Sequence, residues 1–292
     1  MHTYLRAVGF SKIQGKKQLE GLIGEIMTHP TNKYVHEICG KKRYVEFSKD
    51  FSKGMGITIR GTYDEKGFFH LDHYFPYLIP LERSVKEQIY VNKRAEDSAY
   101  NVLCDDMGLG VALIFYLINT VDYMNLENAS RYFVMNTNVS LSGLSNEGKI
   151  LLPILQDDKM LKRCNKKYIQ KQKLITEAKK GNQAAIDSLT INEIDIYARI
   201  KQRIKKQDIY TIVDNSFYPC SKENDLYSMV GTIKEVYENE NIKTKEKVYR
   251  FIIECNHVLF SVCINKNDLY GTPYVGARFK GNIWLQGKVE FN

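Results

Sequence analysis

The chain has 292 residues, 43% hydrophobic and 12% aromatic, enough apolar material for a core in two domains or in one domain with a large extension. Its longest apolar run, Leu109 to Ile118, falls well short of the ~20 residues that span a bilayer, and the opening Met-His-Thr-Tyr-Leu-Arg lacks the apolar stretch of a secretory signal, so neither membrane insertion nor secretion is expected. The formal net charge of +8 resides between Lys159 and Lys180, where Lys159, Lys162, Arg163, Lys166, Lys167, Lys171, Lys173, Lys179 and Lys180 face the single anion Glu177; the rest of the chain is neutral.

Tyr4 to Phe10 reads as a short strand. A helix follows, because Leu19, Leu22, Ile23, Ile26 and Met27 recur at helical spacing, and Pro30 ends it. Lys42 to Phe47, Met55 to Tyr63 and Phe68 to Phe75 have strand character, with turn chemistry in residues 61–67. Asp97 to Asn119 carries a strand, a Gly108-x-Gly110 break and a buried segment from Val111 to Ile118. Further strands are expected at Val139 to Gly143 and at Lys149 to Leu155. Strands outnumber helices, which favours an antiparallel or mixed α+β arrangement for residues 1–156.

Residues 157–219 form an expected helical, basic connector. Gly181-Asn182 stops one helix and opens the next, and Thr190-Ile191-Asn192-Glu193 is a capping box for a helix to about Lys206. From residue 220 alternation returns, with strands at Met229 to Tyr237, Lys247 to Cys255, Val258 to Ile264 and Ile283 to Phe291, and Asn256-His257 as a compact hairpin connection. This spacing resembles a small barrel of the oligonucleotide-binding (OB) type over 220–292. No internal repeat is visible in the sequence.

Catalytic motifs are missing. His70-Leu71-Asp72-His73 offers metal-ligand types, but alternation on a strand sends His73 away from His70 and Asp72 unless a bulge intervenes. Asp105-Asp106 supplies paired carboxylates whose ordinary role is a solvated turn. Gly108-x-Gly110 lacks the third glycine of a dinucleotide fingerprint and precedes its strand. None of the six cysteines forms a C-x-x-C pair, so reduced thiols are expected and neither a metal nor a cofactor is assigned.

The basic run is by default a solvated face, and in its functional form a phosphate-contacting one. The candidate anion-binding residues are Lys162, Arg163, Lys166, Lys167, Lys171 and Lys173, with Arg278 and Lys280 on the last strand. There Ile283 and Leu285 are expected to face the core, Trp284 to pack against another part of the chain, and Gly276, Gly281 and Gly287 to shape the backbone.

Several stretches spread over nearly the whole chain carry a resemblance. They are Tyr4 to Phe10, Leu113 to Leu117, Tyr210 to Asp214 with Phe217 and Pro219, then Glu223, Asp225, Tyr227 and Gly231, and most specifically Arg278-Phe279-Lys280-Gly281-Asn282-Ile283-Trp284-Leu285-Gln286-Gly287. Together they resemble an uncharacterised family of Clostridia-like Firmicutes known only as a domain of unknown function. Ala277 stands where that pattern has a second basic residue. The resemblance implies a cytosolic bacterial protein and brings no catalytic residues.

The expectation is a cytoplasmic, non-enzymatic binding module for an anionic partner, RNA or DNA first. A homodimerising scaffold is the second class, and an enzyme using Asp105, Asp106 or His70 the third.

Overall fold

The computed structural model describes residues 2–13, 15–37, 42–81, 85–94, 99–104, 109, 111–126, 134–154, 166, 169–171, 173–178, 180–190, 215–220 and 225–291. The chain forms two compact units, one of Met1–Leu151 with Asn215–Asn292, the other of Leu152–Asp214. The described residues are mostly strand with few helices, an α+β composition.

Thr3–Val8 is a 3-10 helix where a strand was expected. The His2 ring accepts the Tyr4 amide, and Gly9 at φ +88° turns the chain so that its own N–H meets the carbonyls of the preceding turn. Helix α1 (Lys16–Thr28) follows the expected stripe and buries Leu22 and Ile26. Strands β1 (Asn32–Glu37), β2 (Arg43–Ser52), β3 (Met55–Tyr63) and β4 (Phe69–Leu78) form an antiparallel sheet in that order. Val45, Phe47, Ile57 and Ile59 share a core cluster with α1. Alternation puts Tyr44, Glu46, Ser48, Thr58 and Arg60 on the opposite face.

The second sheet has ten strands. They are β5 (Val85–Lys93), β6 (Tyr100–Cys104), β7 (Leu113–Leu117), β8 (Val134–Leu151), β9 (Ser216–Pro219), β10 (Leu226–Glu240), β11 (Lys247–Cys255), β12 (Val258–Asn265), β13 (Leu269–Tyr270) and β14 (Arg278–Val289). The short helix α2 (Thr120–Asn125) lies between β7 and β8. The segments expected as separate N-terminal and C-terminal domains thus share one sheet. β5 and the length of β8, which joins two expected strands into one of 18 residues, escaped the sequence patterns.

The pairings close this sheet into two five-stranded rings. One runs β5-β6-β7-β14-β8 and returns to β5; the other runs β10-β11-β12-β8-β14 and returns to β10. The residues 220–292 therefore do not complete a ring alone: the fifth strand is β8. The two rings are topological copies. In each, three antiparallel strands lead through a short helical link to a long strand that pairs antiparallel with the first, β8 with β5 and β14 with β10. In each, the third strand runs parallel to the other copy's long strand, Tyr116 beside Gln286 and Phe260 beside Leu141. The repeat absent from the sequence is present in the topology.

Both ring interiors belong to one core cluster, with Val102, Phe115, Val139 and Leu141 from one and Phe251, Phe260, Val262 and Phe279 from the other. Ile283 and Leu285 are fully buried in it, as expected. Alternation turns Trp284, Gln286 and Lys288 to the outer side, toward the N-terminal sheet. Trp284 joins the N-terminal cluster, stacked with Tyr4 at 5.7 Å, and the Gln286 amide nitrogen donates to the Pro76 carbonyl at 2.8 Å. The expected packing role of Trp284 is realised.

Two glycines make this seam feasible. Gly281 sits at the bulge in the β8–β14 ladder, where a Cβ would lie 2.6 Å from Phe279, and a Cβ on Gly287 would lie 2.4 Å from Phe115. Gly287→Ala is accordingly expected to lower stability by about 1–3 kcal/mol, read as a lower urea midpoint at unchanged slope, whereas Gly24→Ala, with open space around it, stays at or above wild type.

Candidate functional site

Of the expected anion-binding residues, Lys166, Lys171 and Lys173 are exposed in the helical stretch of the second unit, together with Lys180. Lys162, Arg163 and Lys167 lie outside the described residues, as do Asp105, Asp106, Gly108 and Gly110. Arg278 is 4% exposed, so it presents little of its side chain to solvent. Lys280 is half-buried.

A bulge does occur beside His73, between Arg60 and Gly61 on β3, so that Arg60 pairs with His73 and Gly61 with Leu71. It does not gather ligands. His70 Nε2 lies 3.0 Å from Asp64 Oδ2 at the surface, and His73 Nε2 lies 2.9 Å from the Tyr116 hydroxyl. No group of three or more metal-ligating side chains occurs among the described residues. Cys220 and Cys263 are free thiols, and burial pushes the Cys263 thiol up to about 12.

The most buried ion pair among the described residues centres on Arg60, which sequence patterning missed. An arginine within an apolar-rich strand, directly across from Glu46, is the signal that marks it. Arg60 is fully buried. Its Nε donates to Glu46 Oε2 at 2.7 Å, one terminal nitrogen donates to the Tyr116 hydroxyl at 3.0 Å, and the other to the Ile118 carbonyl at 2.9 Å. The guanidinium lies 4.5 Å from the Phe75 ring centre. One side chain thereby joins β2, β4, β7 and the link to α2. Burial pushes the Glu46 carboxyl up, and Arg60 opposes that rise.

Beside this pair the sheet and the β7–α2 link enclose a cleft of about 110 Å³. Glu46, Ser48, Thr58 and Tyr77 form its floor, Tyr34 and Asn32 one wall, Asn119, Asp122 and Lys288 the other. Burial raises the Tyr34 phenol, with Asp122 and Glu46 adding to the effect. The cleft holds acceptors, hydroxyls and charges of both signs, and the hydroxyl of its Tyr77 donates to the Asp50 carboxylate.

Arg60→Met would strand the Glu46 carboxylate in the interior. It is expected to cost about 3–5 kcal/mol in chemical denaturation, with much of the loss recovered in the Arg60→Met, Glu46→Leu double variant because no buried charge remains.

The cover over Trp284 responds to pH. The His2 ring lies 4.7 Å from Trp284, and burial above all, with Arg94 adding repulsion, lowers its pKa to about 4. A lowered histidine pKa means the folded state binds the proton less well, so this stability is complete above pH 6.5 and is lost as pH falls toward 4. Thermal melts followed by Trp284 fluorescence are expected to show that decline, and His2→Phe to flatten it.

No curated protein and no solved structure matches the chain. No helix among the described residues is long and apolar enough to cross a membrane. A family model described as "Domain of unknown function, E. rectale Gene description (DUF3881)" matches residues 5–287, spanning both rings, the N-terminal sheet and the basic unit, and to this family the chain belongs.

Proposed function

We propose that the protein is a cytosolic binding module that contacts an anionic polymer, RNA or DNA, through the basic helical unit. The observation that carries this reading is the exposure of Lys166, Lys171, Lys173 and Lys180 within the stretch that holds the chain's whole net charge. Lysines on a helical surface meet phosphates as point charges and confer salt-sensitive, sequence-independent binding. Each ring of the larger unit is of OB type in this proposal: five strands, a helical link between the third and fourth, and a parallel closure between the third and fifth. The usual ligand face of such a ring lies over its second and third strands. In the β10–β14 ring that outer face is occupied, since the Arg250 guanidinium donates to the Lys53 and Ile79 carbonyls and Val248 and Cys263 belong to the N-terminal cluster. The rings then serve as frame, and the lysines make the contact.

The homodimer alternative has one feature in its favour, the outermost strand β1, which exposes Tyr34 and Val35 at the sheet edge. A monomeric mass at high concentration in light scattering argues against it.

Fluorescence anisotropy with mixed-sequence RNA and DNA at low and moderate salt tests the leading reading. Binding is expected to weaken with salt, and Lys166→Gln, Lys171→Gln, Lys173→Gln together are expected to reduce the log–log salt slope by about 2 on single strands and by about 3 on duplex. Absence of salt-sensitive binding to either polymer would refute it.

A further inference from the structure

The cleft beside Arg60 plays no part in the anion-binding reading and rests on other residues. Glu46 is 5% exposed and lines it; Arg60 holds its Oε2, while Oε1 has no hydrogen-bond partner among the described residues. Thr58 is 3% exposed and lines the same floor, and its hydroxyl has no partner among the described residues either. Both atoms open onto the cleft, so their hydrogen bonds are supplied from inside it, by water or by a bound molecule.

The charges around the rim restrict what that is. Arg60 already balances Glu46. Of the remaining charged side chains lining the cleft, Asp122 takes one hydrogen bond, at 2.9 Å from the Asn119 amide, and Lys288 makes no ion pair with any described residue. One anion and one cation are thus left facing the same small space. A metal cation or a polyanion would meet an unmatched charge there, whereas a molecule carrying both signs would meet two matched ones. Size narrows it further: 110 Å³ is roughly four water volumes at ~30 Å³ each, and far below the ~300–1,000 Å³ of drug-sized sites.

We propose that this cleft binds a small zwitterion of the amino-acid class, with its ammonium against Glu46 Oε1 and Asp122 and its carboxylate against Lys288. The Thr58 and Tyr34 hydroxyls complete the polar lining, and Arg60 acts as a positioning residue that fixes Glu46. Lys288 has its place because even-numbered residues of β14 point to the N-terminal layer: Trp284 and Gln286 are covered by it, and Lys288 emerges at its edge.

Isothermal titration calorimetry on the full chain would use glycine, L-alanine and L-serine, with ethylamine and propionate as molecules that keep only one charged end. Saturable binding is expected for the zwitterions, at least about tenfold tighter than for either one-ended probe. Lys288→Ala is expected to weaken L-alanine about tenfold and leave ethylamine unchanged, and Asp122→Asn to weaken L-alanine and ethylamine alike. Both substitutions are at exposed positions, and unchanged melting temperatures would show that the variants fold. The proposal is overturned if no zwitterion binds saturably at millimolar concentration, if ethylamine or propionate binds as tightly as L-alanine, or if both folded variants bind as wild type does.

Discussion

The antiparallel ladder between β8 and β14 is the contact on which the rest of this protein depends. It runs from the Arg278–Leu151 pair to the Val289–Val139 pair, with one bulge after Gly281. Both rings close through it. β8 completes the ring built by the C-terminal segment, and β14 completes the ring built by the N-terminal one, so neither half of the chain can bury its apolar interior alone. A ring of four strands would leave two unpaired edges and an open core, which backbone hydrogen bonding and hydrophobic burial both oppose. The exchange of long strands between two topological copies therefore couples sequence regions more than a hundred residues apart, and the insertion of the basic unit between residues 151 and 215 does not interrupt it.

The outer side of the same ladder carries the N-terminal layer. Trp284 and Gln286 of β14 and Ser142 and Leu144 of β8 face the N-terminal layer, and the Ser142 hydroxyl donates to the Leu78 carbonyl at 2.7 Å. Arg60 then fastens the layer to β7 through Tyr116 and the Ile118 carbonyl. The cleft exists because that fastening leaves Glu46 and Thr58 beneath the β7–α2 link with Lys288 at the rim.

What the sequence showed and what it hid follow from the range of the interactions. Period-two alternation marked β3 and β11 at their true ends and identified Ile283 and Leu285 as core, because each such residue reports the environment of its own strand. The glycines of the last strand were legible as backbone devices. The 3-10 helix at Thr3–Val8 was not, since Tyr-Leu-Arg-Ala-Val has strand propensity and only the His2 cap and the left-handed Gly9 decide otherwise. Ring closure was hidden for a stronger reason: nothing in residues 226–289 states that their fifth strand lies at 134–151. The burial of Arg278 was hidden because a cation on an alternating strand says nothing of what covers it. Arg60 was overlooked by the same logic in reverse, as its identity as a clamp lies in Glu46, Tyr116 and Phe75, three partners on three other strands.

Native-state hydrogen exchange read residue by residue tests most directly whether the two rings are one cooperative structure. Amides of β8 and β14 should exchange only through global opening, with the same free energy as the central amides of β6 and β11, because opening either ring removes a wall of the other. Two distinct plateaus, with β10–β12 opening at low free energy while β5–β7 stay protected, or the reverse, would contradict the shared-ladder account.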